Sequence, residues 1–99
     1  MKFMVTWQLH PETRLEVLNL WGSIPNAKRG DLGRGVKFIG RWHDMAAGNG
    51  VMVAETKDLG ALNRYIAQWT PYMDISLVPV LDDRESGALA KKIVADAKR

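Results

Sequence analysis

Phe3, Val5, Trp7 and Leu9 alternate with Met4, Thr6, Gln8 and His10, a period of two that predicts a strand over Lys2 to Leu9 with one dry and one mixed face. Pro11 suits the first turn of a helix, where its missing N–H costs nothing, and Glu12 places negative charge at the positive end of the dipole. The helix should run through Trp21, with Val17, Leu18 and Trp21 on one side and Glu16 and Asn19 on the other, and stop at Gly22. Gly22 to Gly35 reads as a loop. Val36 to Asp44 predicts a second strand, Met45 to Gly50 a hairpin loop, and Val51 to Thr56 a third strand. Asp58 is a good N-cap for an amphipathic helix in which Leu59, Leu62, Tyr65, Ile66 and Trp69 recur at three and four residues, closed by Thr70-Pro71. Tyr72 to Leu81 predicts a fourth strand, with Pro79 favouring an edge position or the strand's end. Asp82-Asp83 can cap a last helix, in which Leu89 and Ile93 make only a thin apolar stripe.

The order β-α-β-β-α-β-α specifies an α+β fold: a ferredoxin-like βαββαβ unit with an extra C-terminal helix and a four-stranded antiparallel sheet in the order 4-1-3-2. Two helices cover one sheet face. With strict alternation, Phe3, Val5, Trp7, Val36, Phe38 and Trp42 turn toward the helices, and Met4, Thr6, Gln8, Ile39, Arg41 and His43 line the other face. That second face is too apolar to stay wet and too polar for a dry core. It predicts burial against a second copy, with ligand space at the seam. A one-residue slip in the hairpin would exchange the faces of Arg41 and His43.

At 99 residues the chain is expected to be one domain, residues 1–99. Having no Cys, it has no disulfides, thiol nucleophiles or thiolate metal sites. The opening Met1 to Leu9 is too short and too alternating for a signal sequence, and no apolar run approaches the ~20 residues that span a bilayer, so a cytoplasmic protein with no membrane association is expected. The net charge of +3 would suit a polyanion only if clustered; the cations are scattered, and the densest group, Lys91-Lys92 with Lys98-Arg99, sits where it complements a helix dipole. Nucleic acid is therefore disfavoured as a partner. Lys28, Arg29 and Arg34 lie among glycines, but their loop follows a helix and feeds a strand, the reverse of a phosphate loop, and a plain crossover is the better reading.

Three stretches, Met1-Lys2-Phe3-Met4-Val5-Thr6-Trp7, Val36-Lys37-Phe38-Ile39-Gly40-Arg41-Trp42-His43 and Val78-Pro79-Val80-Leu81, resemble a bacterial family of about this length known only as a domain of unknown function. Gly-Arg-Trp-His is the most specific piece. The resemblance implies the dimeric α/β-barrel superfamily, in which two ferredoxin-like sheets pack face to face. Relatives there include cofactor-free monooxygenases of polyketide quinones, muconolactone isomerases and haem-dependent peroxidases. None of their catalytic motifs can be matched here residue by residue, so the fold carries over and the chemistry does not.

The candidate site is the sheet edge where the second strand ends. His43 is the candidate catalytic group, a general base or hydrogen-bond donor oriented by Asp44 or Asp74; the competing reading is a strand-end histidine bonded to a loop carbonyl. Arg41 can clamp an anionic ligand group or pair with Glu55. Trp69 and Tyr72 complete the pocket, while Trp7, Trp21 and Trp42 are expected in the core. Met4, Thr6, Gln8 and Met52 are further candidate ligand contacts, the two Met for their pliant side chains. His10 and His43, about two strand spacings apart (~10 Å), are too distant to share an ion with ~2 Å bonds, so no metal and no cofactor are expected. Two functions follow: a homodimer binding a small, partly apolar molecule, with cofactor-free oxygenation or isomerisation as the chemistry it could support, or a non-catalytic protein-interaction module using the open sheet face or the last helix. The sequence alone does not decide whether the chain is an enzyme.

Overall fold

The alternating segments form strands β1 (Lys2–Leu9), β2 (Val36–Asp44), β3 (Asn49–Thr56) and β4 (Met73–Val80) in a computed structural model that describes residues 1–98. Arg99, part of the basic C-terminal group, lies outside the described residues. A short 3-10 turn at Pro11–Thr13 leads into helix α1 (Arg14–Ser23), and helices α2 (Leu59–Ala67) and α3 (Asp83–Ala97) follow β3 and β4. The sheet order is β2-β3-β1-β4 with every pairing antiparallel, which is the predicted 4-1-3-2 ladder of the ferredoxin-like fold. Pro79, unable to donate to a ladder, sits on the edge strand β4.

Several boundaries differ from expectation: α1 begins at Arg14 after the 3-10 turn rather than at Pro11, α2 ends at Ala67 before Trp69, β4 spans Met73–Val80 rather than Tyr72 to Leu81, and two further differences have a clear local cause. Gly22 does not stop α1, which continues to Ser23 and ends where the Ile24 N–H turns back to the Trp21 carbonyl, just before Pro25. Asn49 and Gly50 belong to β3, because the hairpin closes earlier: the Asp44 carboxylate accepts from the Ala47 N–H (3.1 Å), and Gly48 takes the left-handed conformation (φ 73°) that the turn requires.

The core lies between the sheet and the helices, built from Phe3, Val5, Met52, Ala54, Leu62 and Ile66, with Leu62 fully buried. Leu32, only 2% exposed, pins the glycine-rich crossover to this layer. Thr56, the one buried polar residue of the sheet, donates to the Gly35 carbonyl (2.8 Å) and accepts from the Asp58 N–H (2.9 Å), joining the start of β2 to the cap of α2.

β2 departs from strict alternation. Phe38 faces Ala54, but the next partnered residue is Gly40 opposite Val53, leaving Ile39 as an extra residue, a β-bulge. Beyond it Arg41 lies opposite Met52, itself opposite Val5, and His43 opposite Gly50, itself opposite Trp7. Residues directly opposed on neighbouring strands share a face. Arg41 and His43 therefore face the helices rather than the open side, and Trp42 turns outward, 62% exposed, rather than into the core. The inserted residue inverts the second half of the strand while leaving Val36 and Phe38 as predicted.

α3 stands apart. It begins firmly, with a capping box between Asp82 and Glu85 and with Lys2 Nζ 3.1 Å from Asp82, 3.4 Å from Glu55 and 3.5 Å from Glu85. Beyond that anchor it buries no residue, and Leu89, Ile93 and Val94 are exposed. The chain measures 57 × 29 × 21 Å with a radius of gyration of 16.5 Å, against about 13 Å for a compact chain of 100 residues. A helix projecting from the body accounts for the excess. No helix among the described residues is long and apolar enough to cross a membrane.

Candidate functional site

Between the sheet and the helices lies a cavity of about 80 Å³, open on one side, whose wall is apolar except for Arg41, His43 and the Tyr65 hydroxyl. Strand alternation supplies Val5, Trp7 and Leu9 from β1 and Met73 and Ile75 from β4; helical spacing supplies Val17, Leu18 and Trp21 from α1 and Tyr65 and Ile66 from α2, and the turn that follows α2 adds Trp69. Trp7 can lie across β3 only because its partner is glycine. A Cβ on Gly50 would overlap the indole.

Arg41 reaches into this apolar space with partners on every side. Its guanidinium lies 4.7 Å over the Trp21 ring and 4.9 Å over Phe38, donates to the Arg29 carbonyl (2.9 Å) and the Tyr65 hydroxyl (3.0 Å), and contacts Met52 Sδ at 3.3 Å. Burial pushes its pKa down, the Tyr65 oxygen works against this, and the neighbouring Arg29 adds to the lowering. An arginine remains charged under such a shift. Arg29 stacks on the same indole, 5.2 Å from its centre, and its Nε is buried without a hydrogen-bond partner.

His43 sits at the mouth between Trp7 (ring centres 5.5 Å apart) and Trp21 (5.3 Å), still exposed to solvent. Partial burial lowers its pKa, and the charges of Arg41 and then Arg29 lower it further, so the imidazole is neutral at pH 7. The aromatic row continues from Trp21 to Trp69 at 6.1 Å and on to Tyr72 at 6.3 Å.

The structure thus gathers four of the predicted residues, Arg41, His43, Trp69 and Met52, around one cavity, with Tyr72 outside its lining and edge-to-face with Trp69. Met4, Thr6 and Gln8 lie on the opposite sheet face, Gln8 bonded to the hairpin carbonyls of Ala47 and Gly48. The cavity is accordingly within the chain's own layers and not at a seam on the open face. The expected orienting partners of His43 are engaged elsewhere: Asp44 caps the hairpin, and Asp74 contacts His10 Nε2 at 2.9 Å. Glu55 pairs with Lys2 rather than with Arg41. Trp7, Trp21, Tyr65 and Arg29 were not among the predicted pocket residues. Three of the four tryptophans border the cavity, so an apolar face and a pocket wall are here the same surface. Among the described residues no cluster of three or more His, Asp or Glu could hold a metal ion.

Three solved structures are similar in fold. Rv0793 from Mycobacterium tuberculosis is 14% identical, with a TM-score of 0.46 over 83% of this chain and 95% of its own. A candidate antibiotic biosynthesis monooxygenase from Deinococcus radiodurans is 14% identical, with a TM-score of 0.43 over 82% and 92%. A further antibiotic biosynthesis monooxygenase is 15% identical, with a TM-score of 0.42 over 83% and 100%. No curated protein matches the chain. The family described as "Domain of unknown function (DUF3303)" matches residues 1–94, nearly the whole length, and the chain belongs to that family.

Proposed function

We propose that this protein binds a small, largely apolar molecule in the cavity between sheet and helices, with an oxygen of the ligand directed at Arg41 and its reactive carbon at His43. What carries the reading is the convergence of one charged and one neutral basic side chain on a wall otherwise made of Trp, Leu, Val, Ile, Met and one Tyr. Such a pair supports proton abstraction next to a carbonyl. The C–H electron pair passes into an enolate whose oxygen Arg41 stabilises, and the proton passes to the neutral imidazole. This step opens both isomerisation and cofactor-free oxygenation. Tryptophan signals test the site directly: in a titration with small aromatic ketones followed by NMR, the indole N–H resonances of Trp7, Trp21 and Trp69 should shift while that of Trp42, on the opposite face, does not. Shifts confined to Trp42, or no saturable shift, would remove the proposal.

A second reading concerns the uncovered side. Ile39, Trp42 and Val78 are exposed there, and α3 carries Leu89, Ile93 and Val94 exposed to solvent. Exposed apolar surface of this kind is what a homodimer would cover. A mass measurement by light scattering on the intact chain should give twice 11.1 kDa. A monomer at high micromolar concentration would count against pairing through this face.

A further inference from the structure

The proposed pocket leaves the charge of its ligand open, and the geometry points to an anion: a flat, apolar molecule that carries an ionised acidic oxygen, a carboxylate or acidic phenol, held by the charges of the two arginines. This rests on the small-molecule reading above. Arg41 and Arg29 converge on one indole, with guanidinium carbons 4.7 and 5.2 Å from the centre of Trp21. Neither has a carboxylate partner among the described residues, where every ion pair involves Lys2 or His10. Like charges brought together in a half-buried, apolar setting destabilise each other, and a bound anion relieves both at once.

The donor inventory agrees. Of the five N–H groups of a guanidinium, Arg41 uses three, toward the Arg29 carbonyl, Tyr65 and Met52, which leaves two for a ligand. The free pair, Nε–H and one Nη1–H, lie on different edges of the guanidinium, so each offers an anion a single charge-assisted hydrogen bond. Flatness of the ligand follows from walls made of indoles and the Tyr65 ring. Arg29 does not line the cavity, so it acts as a positioning residue: its carbonyl holds Arg41 and its charge adds to the field at Trp21.

The test uses matched probes on the intact chain, benzoate with benzamide and cinnamate with cinnamamide, titrated at pH 7.5 by tryptophan fluorescence and by NMR. Each carboxylate should bind at least tenfold more tightly than its amide. Arg41→Gln should abolish that preference. Arg29→Gln should reduce the carboxylate-to-amide ratio several-fold with amide affinity unchanged, and Arg29→Lys should restore part of it; amide spectra that overlay on wild type show the fold intact. Equal affinities within each pair overturn the anion assignment and leave the small-molecule pocket standing. No saturable binding by any of the four probes removes both. A carboxylate preference that survives Arg41→Gln and Arg29→Gln together places the anion elsewhere and overturns the assignment.

Discussion

Gly50→Ala is the sharpest test of how the cavity is built. The new Cβ would overlap the Trp7 ring, lie 2.7 Å from its Cη2, and stand 2.5 Å from the Trp42 carbonyl oxygen. The indole could retreat only into the cavity, and the carbonyl belongs to the β2 backbone, held by the pairing of His43 with Gly50. Overpacking of this kind costs about 1–3 kcal/mol, of which some 0.5–1 kcal/mol is offset because alanine is favoured over glycine within a strand. A net loss of up to about 2.5 kcal/mol lowers Tm by up to about 20 °C in a domain of this size. Gly22→Ala is the control, since a Cβ there meets nothing within 4 Å and α1 gains up to ~1 kcal/mol of helix propensity. Thermal unfolding followed by circular dichroism should move the two variants in opposite directions. In the double variant Gly50→Ala/Trp7→Leu the losses should be less than additive, because the second change removes the ring that the first one strikes. If Gly50→Ala behaves like Gly22→Ala, the packing of Trp7 across β3 is wrong, and the cavity floor with it.

Arg41→Met should raise the His43 pKa toward the ordinary imidazole value, because a cation that lowers it has gone; an NMR titration of the ring protons showing no rise contradicts the contact. Since the folded-state pKa of His43 lies below its unfolded value near 6.5, its contribution to stability is full above that pH and is lost as pH falls through the depressed folded value. Tm should therefore decline on acidification with a component that His43→Gln removes; identical pH slopes for the two proteins would exclude it. Thr56→Val leaves the half-buried Asp58 N–H without its acceptor and removes the donor to the Gly35 carbonyl, and should cost about 1–3 kcal/mol in urea unfolding, with Thr56→Ser close to wild type. If α3 docks on a second copy, its amide hydrogen exchange should slow as protein concentration rises while that of β1 stays constant; fast, concentration-independent exchange would mean the helix stands free.

The fold was legible because its signals were local and redundant. Alternation in Lys2–Leu9, the Asp58 cap and the spacing of Leu62 and Ile66 each specify one element, and the order of the elements leaves few topologies. The site was less legible for one reason: phase. Assigning faces along β2 by simple alternation sends Trp42 inward and Arg41 and His43 outward, and the bulge reverses all three. A cue was present. An isolated glycine inside a strand pattern marks a bulge, and Gly40 follows the inserted Ile39 directly. Arg29 was beyond reach on different grounds, since what brings it to Trp21 is the burial of Leu32 within a loop that has no period to read.

The bulge also accounts for a cavity where a ferredoxin-like sheet could have had solid core. Without the extra residue, Trp42 would fill the space beneath α1 and α2 with an apolar ring, and the polar pair would face outward. With it, a guanidinium and an imidazole occupy positions opposite Met52 and Gly50, where tight apolar packing would leave a charge unsolvated. Close packing around Arg41 is limited to the groups that can bond or stack on it: Tyr65, the Arg29 carbonyl, Trp21 and Phe38. The rest of the cavity wall is almost wholly indole and aliphatic and offers Arg41 no carboxylate. A single inserted residue therefore gives the chain both its exposed Trp42 face and its cationic pocket, and deleting Ile39 should remove the two together.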